Sequence, residues 1–255
     1  MTRVSVLGAC LASLVATCAL GATAASAAAP EFGRCFSHAG GRFTDVGCTT
    51  AAPAGKGKFE WAAGVLKGKF TLKLSGASSV MEPVAGTAVI CRGMTGSGEY
   101  TGPKTISYGP LSLTGCTAAG LECASAGAAV GEIVTSPLEG VLGVAVIGAS
   151  SRTNKLALEW HAHAGSNFAE FTCASLPIVM RGSVLHPLEA NKMLSTRTEK
   201  LTAAKAEQKP DGFAGEALDA HILESSTNGS AFAEFGWTLP ASASFEEALE
   251  ASTVN

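Results

Sequence analysis

The chain has 255 residues, of which 47% are hydrophobic and only 15% are charged. This much apolar surface can offset the ordering entropy of folding, which excludes an intrinsically disordered chain. The formal net charge of −3 leaves no basic excess, so no nucleic-acid partner is expected.

The beginning of the chain is typical of a secretory signal peptide. One basic residue precedes an almost wholly apolar or small stretch, and Ala25-Ser26-Ala27 fits the small-x-small cleavage pattern. We therefore expect residues 1–27 to be removed, which leaves a secreted, extracellular chain of residues 28–255. Cys10 and Cys18 lie in this leader in poor lipoprotein contexts, so lipid anchoring is not expected. Beyond the leader, no apolar run reaches the roughly 18 residues of a membrane span.

The other six cysteines predict a disulfide framework, because an even number in an exported chain is typical of one. Short loops close most easily, so the sequence favours Cys35–Cys48 and Cys116–Cys123, which leaves Cys91–Cys173. A metal site is the alternative for these cysteines, but no Cys-x-x-Cys pair supports it.

The chain after the leader has the periodicity of β-strands. Apolar and polar residues alternate over residues 69–75, 156–164, 169–173 and 233–239. Val141–Ile147 is continuously apolar, as expected for a strand that is covered on both faces.

Turn signals separate these runs, and Asn228-Gly229 is the strongest hairpin signal among them. Short strands at this spacing predict an all-β fold, an antiparallel sandwich or barrel of about 10–14 strands supported by disulfides. We expect a single β-rich domain over residues 28–255, in which the acidic segment 196–255 is a candidate semi-independent layer. Residues 244–251 fit either a short C-terminal helix or a polar edge strand, and residues 192–209 tend towards strand.

The sequence contains no recognisable catalytic motif. Gly-x-Ser-x-Gly, the phosphate-binding Gly-x-x-x-x-Gly-Lys-Ser/Thr and His-Glu-x-x-His are all absent. No catalytic residue and no cofactor is therefore assigned.

The best chemical constellation is Glu159, His161 and His163, which alternate along one predicted strand. Residues at i, i+2 and i+4 of a strand project from one face, so the three side chains are weak candidates for a metal site. The alternative is the ordinary polar face of an amphipathic strand, and the apolar complementary face favours that interpretation.

Four further segments resemble an uncharacterised secreted protein family of high-GC Gram-positive bacteria. The resemblance supports the signal peptide and the disulfides, and it implies no activity. The segments are Pro30–Cys35 (PEFGRC), Gly98–Thr105 (GEYTGPKT), Gly131–Gly140 (GEIVTSPLEG) and Arg181–Pro187 (RGSVLHP).

These observations favour an exported, non-enzymatic β-rich protein that binds a small ligand or forms part of the cell envelope. The alternative is a secreted hydrolase whose site is assembled from distant residues. A Ser-His-acid cluster or two facing carboxylates in a cleft would favour the hydrolase.

Overall fold

The computed structural model describes residues 30–64, 68–163, 165–204 and 207–253. The signal peptide expected over residues 1–27 lies outside the described residues. The described chain forms 20 strands and one turn of 3-10 helix at Ser151–Thr153. It contains no helix that is long and apolar enough to cross a membrane. The strands are β1 (Glu31–Gly41), β2 (Gly57–Ala63), β3 (Lys69–Leu74), β4 (Ser79–Pro83), β5 (Val89–Cys91), β6 (Gly93–Tyr100), β7 (Thr105–Tyr108), β8 (Ser112–Thr114), β9 (Thr117–Ala118), β10 (Leu121–Ala124), β11 (Ile133–Val134), β12 (Leu138–Val146), β13 (Lys155–Ala162), β14 (Ala169–Cys173), β15 (Leu176–Leu188), β16 (Leu194–Leu201), β17 (Ala203–Ala204), β18 (Glu207–Gln208), β19 (Leu223–Thr227) and β20 (Ala233–Ser252).

The alternating segments form strands as the sequence predicts. Phe70 and Leu72 of β3 are buried, as are Leu158 and Trp160 of β13, while the polar residues between them lie on the other face. Asn228-Gly229 makes the turn between β19 and β20, with φ values of 52° and 73°. Positive φ at both positions is the geometry that favours Asn-Gly in hairpins. The all-β, disulfide-supported fold is thereby confirmed. Its 20 described strands exceed the predicted 10–14, because six of them are only two or three residues long.

Two local expectations are corrected. Val141–Ile147 is not covered on both faces, since Val146 is 51% and Ile147 72% exposed. The reason is that β12 has neighbours on both sides only from Leu138 to Val141, and beyond that point it pairs with β13 alone. Residues 244–251 form a strand rather than a helix, but not an edge strand, because β20 runs on to Ser252 and pairs with β3 as far as Phe245, with β16 as far as Leu249 and with β1 over Glu250–Ser252.

The paired strands form two closed circuits, in each of which the last strand pairs with the first. Every ladder between named strands is antiparallel. One circuit passes from β20 through β3, β6, β7, β12, β13, β15 and β19 back to β20. The other passes from β20 through β4, β5, β9, β10, β14, β15 and β19. The long strands β15 and β20 belong to both circuits, because different parts of each strand pair with different neighbours.

The main hydrophobic core spans both circuits. The rings of Trp160 and Trp237 are fully buried with their centroids 6.2 Å apart, and each indole N–H has a buried acceptor, Tyr108 Oη at 2.9 Å and Ser79 Oγ at 2.7 Å. The acidic C-terminal segment shares this core, because Trp237 and Leu239 belong to the same buried cluster as residues of β3 and β13. A smaller cluster forms around the Cys35–Cys48 bond.

All six cysteines after the leader are paired. Cys35–Cys48 is confirmed, but the other two predicted pairs are wrong, because the structure bonds Cys91 to Cys116 and Cys123 to Cys173. Cys123 and Cys173 lie directly opposite each other on β10 and β14, and the register of β5 with β9 brings Cys91 beside Cys116. Proximity along the chain did not decide the pairing. These four cysteines form one row across adjacent strands, in the order Cys91, Cys116, Cys123 and Cys173. The first is bonded to the second and the third to the fourth.

Candidate functional site

A row of polar residues crosses the outer face of the first circuit. Each member lies directly opposite the next on the neighbouring strand, so their side chains emerge side by side from one face. The members of this polar row are Lys69, Glu99, Ser107, Glu139, His161 and Ser183.

An open cleft of about 600 Å³ lies at the β20–β3–β6 end of the polar row, and we call it the sheet cleft. Lys69, Glu99 and Glu246 supply its charges, and within the described residues none of the three forms an ion pair. Phe70 and Phe245 also line the cleft. The remaining polar lining consists of the hydroxyls of Thr71, Ser97, Ser107 and Ser244.

Gly98, which lies opposite Phe70 and Tyr108, makes room for the Phe70 ring in the core beneath the cleft. A Cβ atom at this position would lie 2.5 Å from Phe70 Cζ and 2.6 Å from the Ser107 carbonyl oxygen. A side chain there would displace Phe70, which is also packed against Tyr108 with ring centroids 5.4 Å apart. A depression of about 410 Å³ shares Ser107 with the cleft and extends to Glu139.

The other end of the polar row is a chain of alternating glutamates and histidines on β12 and β13. Glu139 Oε1 lies 2.7 Å from His163 Nδ1, and Glu139 Oε2 lies 3.3 Å from His161 Nε2. The other ring nitrogen of His161 lies 3.4 Å from Glu159 Oε1. The predicted residues Glu159, His161 and His163 therefore share one face, as their spacing indicates. The two histidines do not converge on one point, however, because Glu139 lies between them.

The segment from Asp211 to His221 extends this chain by folding over the outer face of β12 and β13. His221 Nδ1 lies 3.0 Å from Glu159 Oε1, and His221 Nε2 lies 2.9 Å from Glu216 Oε2. The Ser183 hydroxyl is also 3.0 Å from His221 Nδ1. We call the six residues His163, Glu139, His161, Glu159, His221 and Glu216 the Glu–His chain.

Contacts within the Glu–His chain shift the pKa values of His161, Glu139 and Glu159, and each shift favours the charged form. The hydrogen bond with Glu159 raises the pKa of His161, outweighing partial burial, and Glu139 contributes in the same direction. The hydrogen bond with His163 lowers the pKa of Glu139. Burial opposes ionisation of Glu159, but the hydrogen bond and charge of His161 still lower its pKa. Protonation of His161 between Glu139 and Glu159 is therefore favoured relative to a free imidazole.

The weak metal candidates Glu159, His161 and His163 are thus engaged by other side chains. Within the part of the chain that the structure describes, no group of three or more His, Cys, Asp or Glu residues is arranged to hold a metal ion. Sequence reasoning missed Glu139, whose place opposite His161 depends on strand register. It also missed His221, an isolated histidine with no local pattern around it.

A second pocket, of about 390 Å³, lies in the other circuit. Val89, Leu121, Leu176 and Phe235 contribute to its lining, and no charged side chain lines its described walls. Leu121 and Leu176 are 56% and 49% exposed. This pocket offers a mainly apolar surface, to which Thr87, Ser225 and Thr227 add hydroxyl groups.

Three of the segments that carry the family resemblance meet at the polar row. Gly98–Thr105 contributes Glu99, Gly131–Gly140 contributes Glu139, and Arg181–Pro187 contributes Ser183. No family model matches the chain, and comparisons with curated proteins and with solved structures give no match either.

Proposed function

We propose that this chain is an exported, non-enzymatic binding protein that holds a polar ligand in the sheet cleft, at the cell envelope or outside the cell. The cleft itself carries the proposal. Its volume of about 600 Å³ falls within the usual size of small-molecule sites. Among the described residues its ammonium and carboxylate groups form no ion pair, so they are available to a ligand.

Export is supported by two features. The leader expected from the sequence directs secretion. Three disulfides are typical of chains that fold in an oxidising compartment. The resemblance to a secreted bacterial family agrees with both features.

Two carboxylates accompany the single cation of the cleft. Glu99 and Glu246 lie on β6 and β20, which flank β3. Neighbouring strands are about 4.8 Å apart, so these two residues start from backbones separated by about 10 Å.

Binding to isolated cell-wall material and its soluble fragments tests the proposal. We expect the secreted protein to be retained on the wall fraction, and Lys69→Glu to weaken retention at least about ten-fold, because it turns the one cation of the cleft into a third anion. Lys155→Glu is the matched control, since Lys155 is also exposed on a strand but does not line the cleft. Equal retention of both variants, or no retention of the wild type, would contradict the proposal.

A secreted hydrolase is the second candidate, and one observation favours it. Ser183, His221 and Glu216 form a hydrogen-bonded series of a hydroxyl, an imidazole and a carboxylate. Glu159 also contacts His221 Nδ1, however, so this nitrogen is not free to take the Ser183 proton. The Ser183 N–H donates to the Ile222 carbonyl and is therefore not free to stabilise an oxyanion. Ser183 is also only 8% exposed, which leaves little access for a substrate.

A further inference from the structure

The pocket of about 390 Å³ lies at one end of the second circuit, and every strand of that circuit contributes to its lining. Val89 lies opposite Ala118, which in turn lies opposite Leu121. Phe235 lies opposite Pro83. Directly opposite residues share one face of a sheet, and Val89 and Phe235 belong to the main core, so the lining residues face inwards. The pocket is therefore the mouth of the circuit, and we call it the mouth pocket.

The mouth pocket has a buried apolar floor and an exposed apolar rim. Val89, Phe235 and Cys173 are 1%, 2% and 6% exposed. Leu121 and Leu176 are about half exposed, although they line the same space. Apolar surface in contact with water is unfavourable, so the hydrophobic effect stabilises an apolar ligand that covers this floor and rim. The mouth of a β-barrel is a frequent place for such a site, and the volume falls within the usual range.

One buried hydroxyl group is available inside the mouth pocket. Ser225 lines the pocket, is only 7% exposed, and its hydroxyl forms no hydrogen bond with any described residue. It lies opposite Met180 of the main core, which places it on the inner face of β19. Buried polar groups are normally satisfied by protein, by water or by a ligand. A hydroxyl can donate or accept, so Ser225 can bind one polar group of a ligand.

The charges near the mouth pocket lie outside it. Glu224 is next to Ser225 in the sequence, but successive residues of a strand project from opposite faces, and Glu224 pairs with Arg181. No charged side chain is among the described lining residues. A charged group that enters an apolar site without a partner loses its hydration at a large cost in free energy. The pocket therefore favours uncharged ligands.

We propose that the mouth pocket binds an uncharged, mainly apolar small molecule that carries one hydrogen-bonding group, and that this group contacts the Ser225 hydroxyl. The apolar body of the ligand covers Val89 and Phe235 and is flanked by Leu121 and Leu176. This inference goes beyond the proposed function, because the mouth pocket and the sheet cleft share no lining residue.

Fluorescence titration of the secreted protein at pH 7 with three compounds of the same ring size tests the inference. The compounds are 2-naphthol, naphthalene and 2-naphthoate. We expect 2-naphthol to bind at one site with a Kd below about 1 mM. Naphthoate should bind at least about ten-fold more weakly, because its carboxylate finds no cation in the pocket.

The contribution of the hydroxyl is measured with Ser225→Ala. This variant should weaken binding of 2-naphthol about five-fold, the effect of one lost hydrogen bond, and should change binding of naphthalene less than two-fold. An equal loss for both compounds would show that Ser225 only shapes the pocket, and it would overturn the assignment of a hydrogen-bonding ligand.

The position of the site is tested with a pair of exposed apolar residues on the same circuit. Leu176→Glu places a charge on the rim and should weaken binding of 2-naphthol at least about five-fold. Ile90→Glu is the matched control, since Ile90 is 41% exposed, follows Val89 on β5 and does not line the pocket. The inference fails if neither neutral compound shows saturable binding up to its solubility, if naphthoate binds as tightly as 2-naphthol, or if Leu176→Glu and Ile90→Glu have the same effect. The wall-binding assay of the sheet cleft is independent of all these results.

Discussion

Ser183 on β15 and His221, just before β19, meet on the outer face of the sheet, with 3.0 Å between Ser183 Oγ and His221 Nδ1. The contact depends on the fold of the segment 211–221, which is held to the sheet by the hydrogen bond from Ala214 N to the Val144 carbonyl. Gly143 makes room for Phe213, since a Cβ atom at Gly143 would lie 2.4 Å from that ring. The Ser183–His221 contact can either hold the segment 211–221 in place or activate Ser183 as a nucleophile. These two roles lead to different experimental results.

We expect Ser183 to be unreactive. A fluorophosphonate probe labels a serine that an adjacent imidazole activates, but Glu159 shares the His221 nitrogen and the site is nearly closed to solvent. Intact-mass spectrometry of the treated protein should therefore show no adduct. An adduct that maps to Ser183 and disappears in His221→Gln would instead establish the hydrolase.

The Glu–His chain should make stability depend on pH through His161. Its pKa is raised in the folded protein, so its contribution is fully present below the unfolded value of 6.5 and is lost as pH rises through the folded value. His161→Asn should cost about 0.5–1 kcal/mol at pH 5.5 and much less at pH 8.5, measured by urea unfolding. His38→Asn is the control, because His38 is exposed on β1. An equal cost of His161→Asn at both pH values would show that its contribution is packing rather than charge.

The fold class follows from sequence because alternation reports directly which face of a strand is buried. The pattern of β3 and β13 requires only local information, and it is correct at Phe70, Leu72 and Trp160. Strand order depends on contacts between distant parts of the chain. The partners of β20 and the row of four cysteines therefore could not be predicted from the local sequence pattern.

In the candidate site, too, local spacing predicts the position of some residues, whereas the position of others depends on strand register. The spacing of Glu159 and His161 placed them on one face, but Glu139 joins them only through the register of β12 with β13. The buried Arg197 and Glu199 alternate with polar neighbours on β16, so nothing in that segment marks an inward face. Hydrophobic periodicity cannot reveal polar side chains that lie inside the core.

Disulfide deletion should follow loop length. The Cys123–Cys173 bond spans 50 residues and the Cys35–Cys48 bond spans 13, so the chain-entropy model assigns the longer loop about 1 kcal/mol more stabilisation. Paired Cys→Ala variants should show this order in guanidinium unfolding at pH 7. Peptide mapping without reduction should recover Cys123 linked to Cys173, and a Cys116–Cys123 peptide in its place would contradict the pairing.

Glu250 provides the sharpest test of buried charge. It lies on β20 opposite Gly33, is 1% exposed, and neither carboxyl oxygen has a hydrogen-bond partner among the described residues. Burial, and to a lesser degree the negative charge of Asp45, raises its pKa from 4.5 to about 7. The folded state therefore disfavours the carboxylate. The resulting loss of stability begins as pH rises above 4.5 and is complete above about 7, where it reaches about 3 kcal/mol.

Glu250→Gln removes the charge and keeps the shape of the side chain. We expect the variant to be more stable than the wild type by about 1–3 kcal/mol at pH 8 and nearly equal to it at pH 5, as measured by urea unfolding across this range. Glu246→Gln is the matched control on the same strand, and it should leave the pH profile unchanged because Glu246 is exposed in the sheet cleft. A wild-type profile that stays flat from pH 5 to 8, with no gain from Glu250→Gln at pH 8, would mean that the carboxylate of Glu250 is solvated or paired in the folded protein.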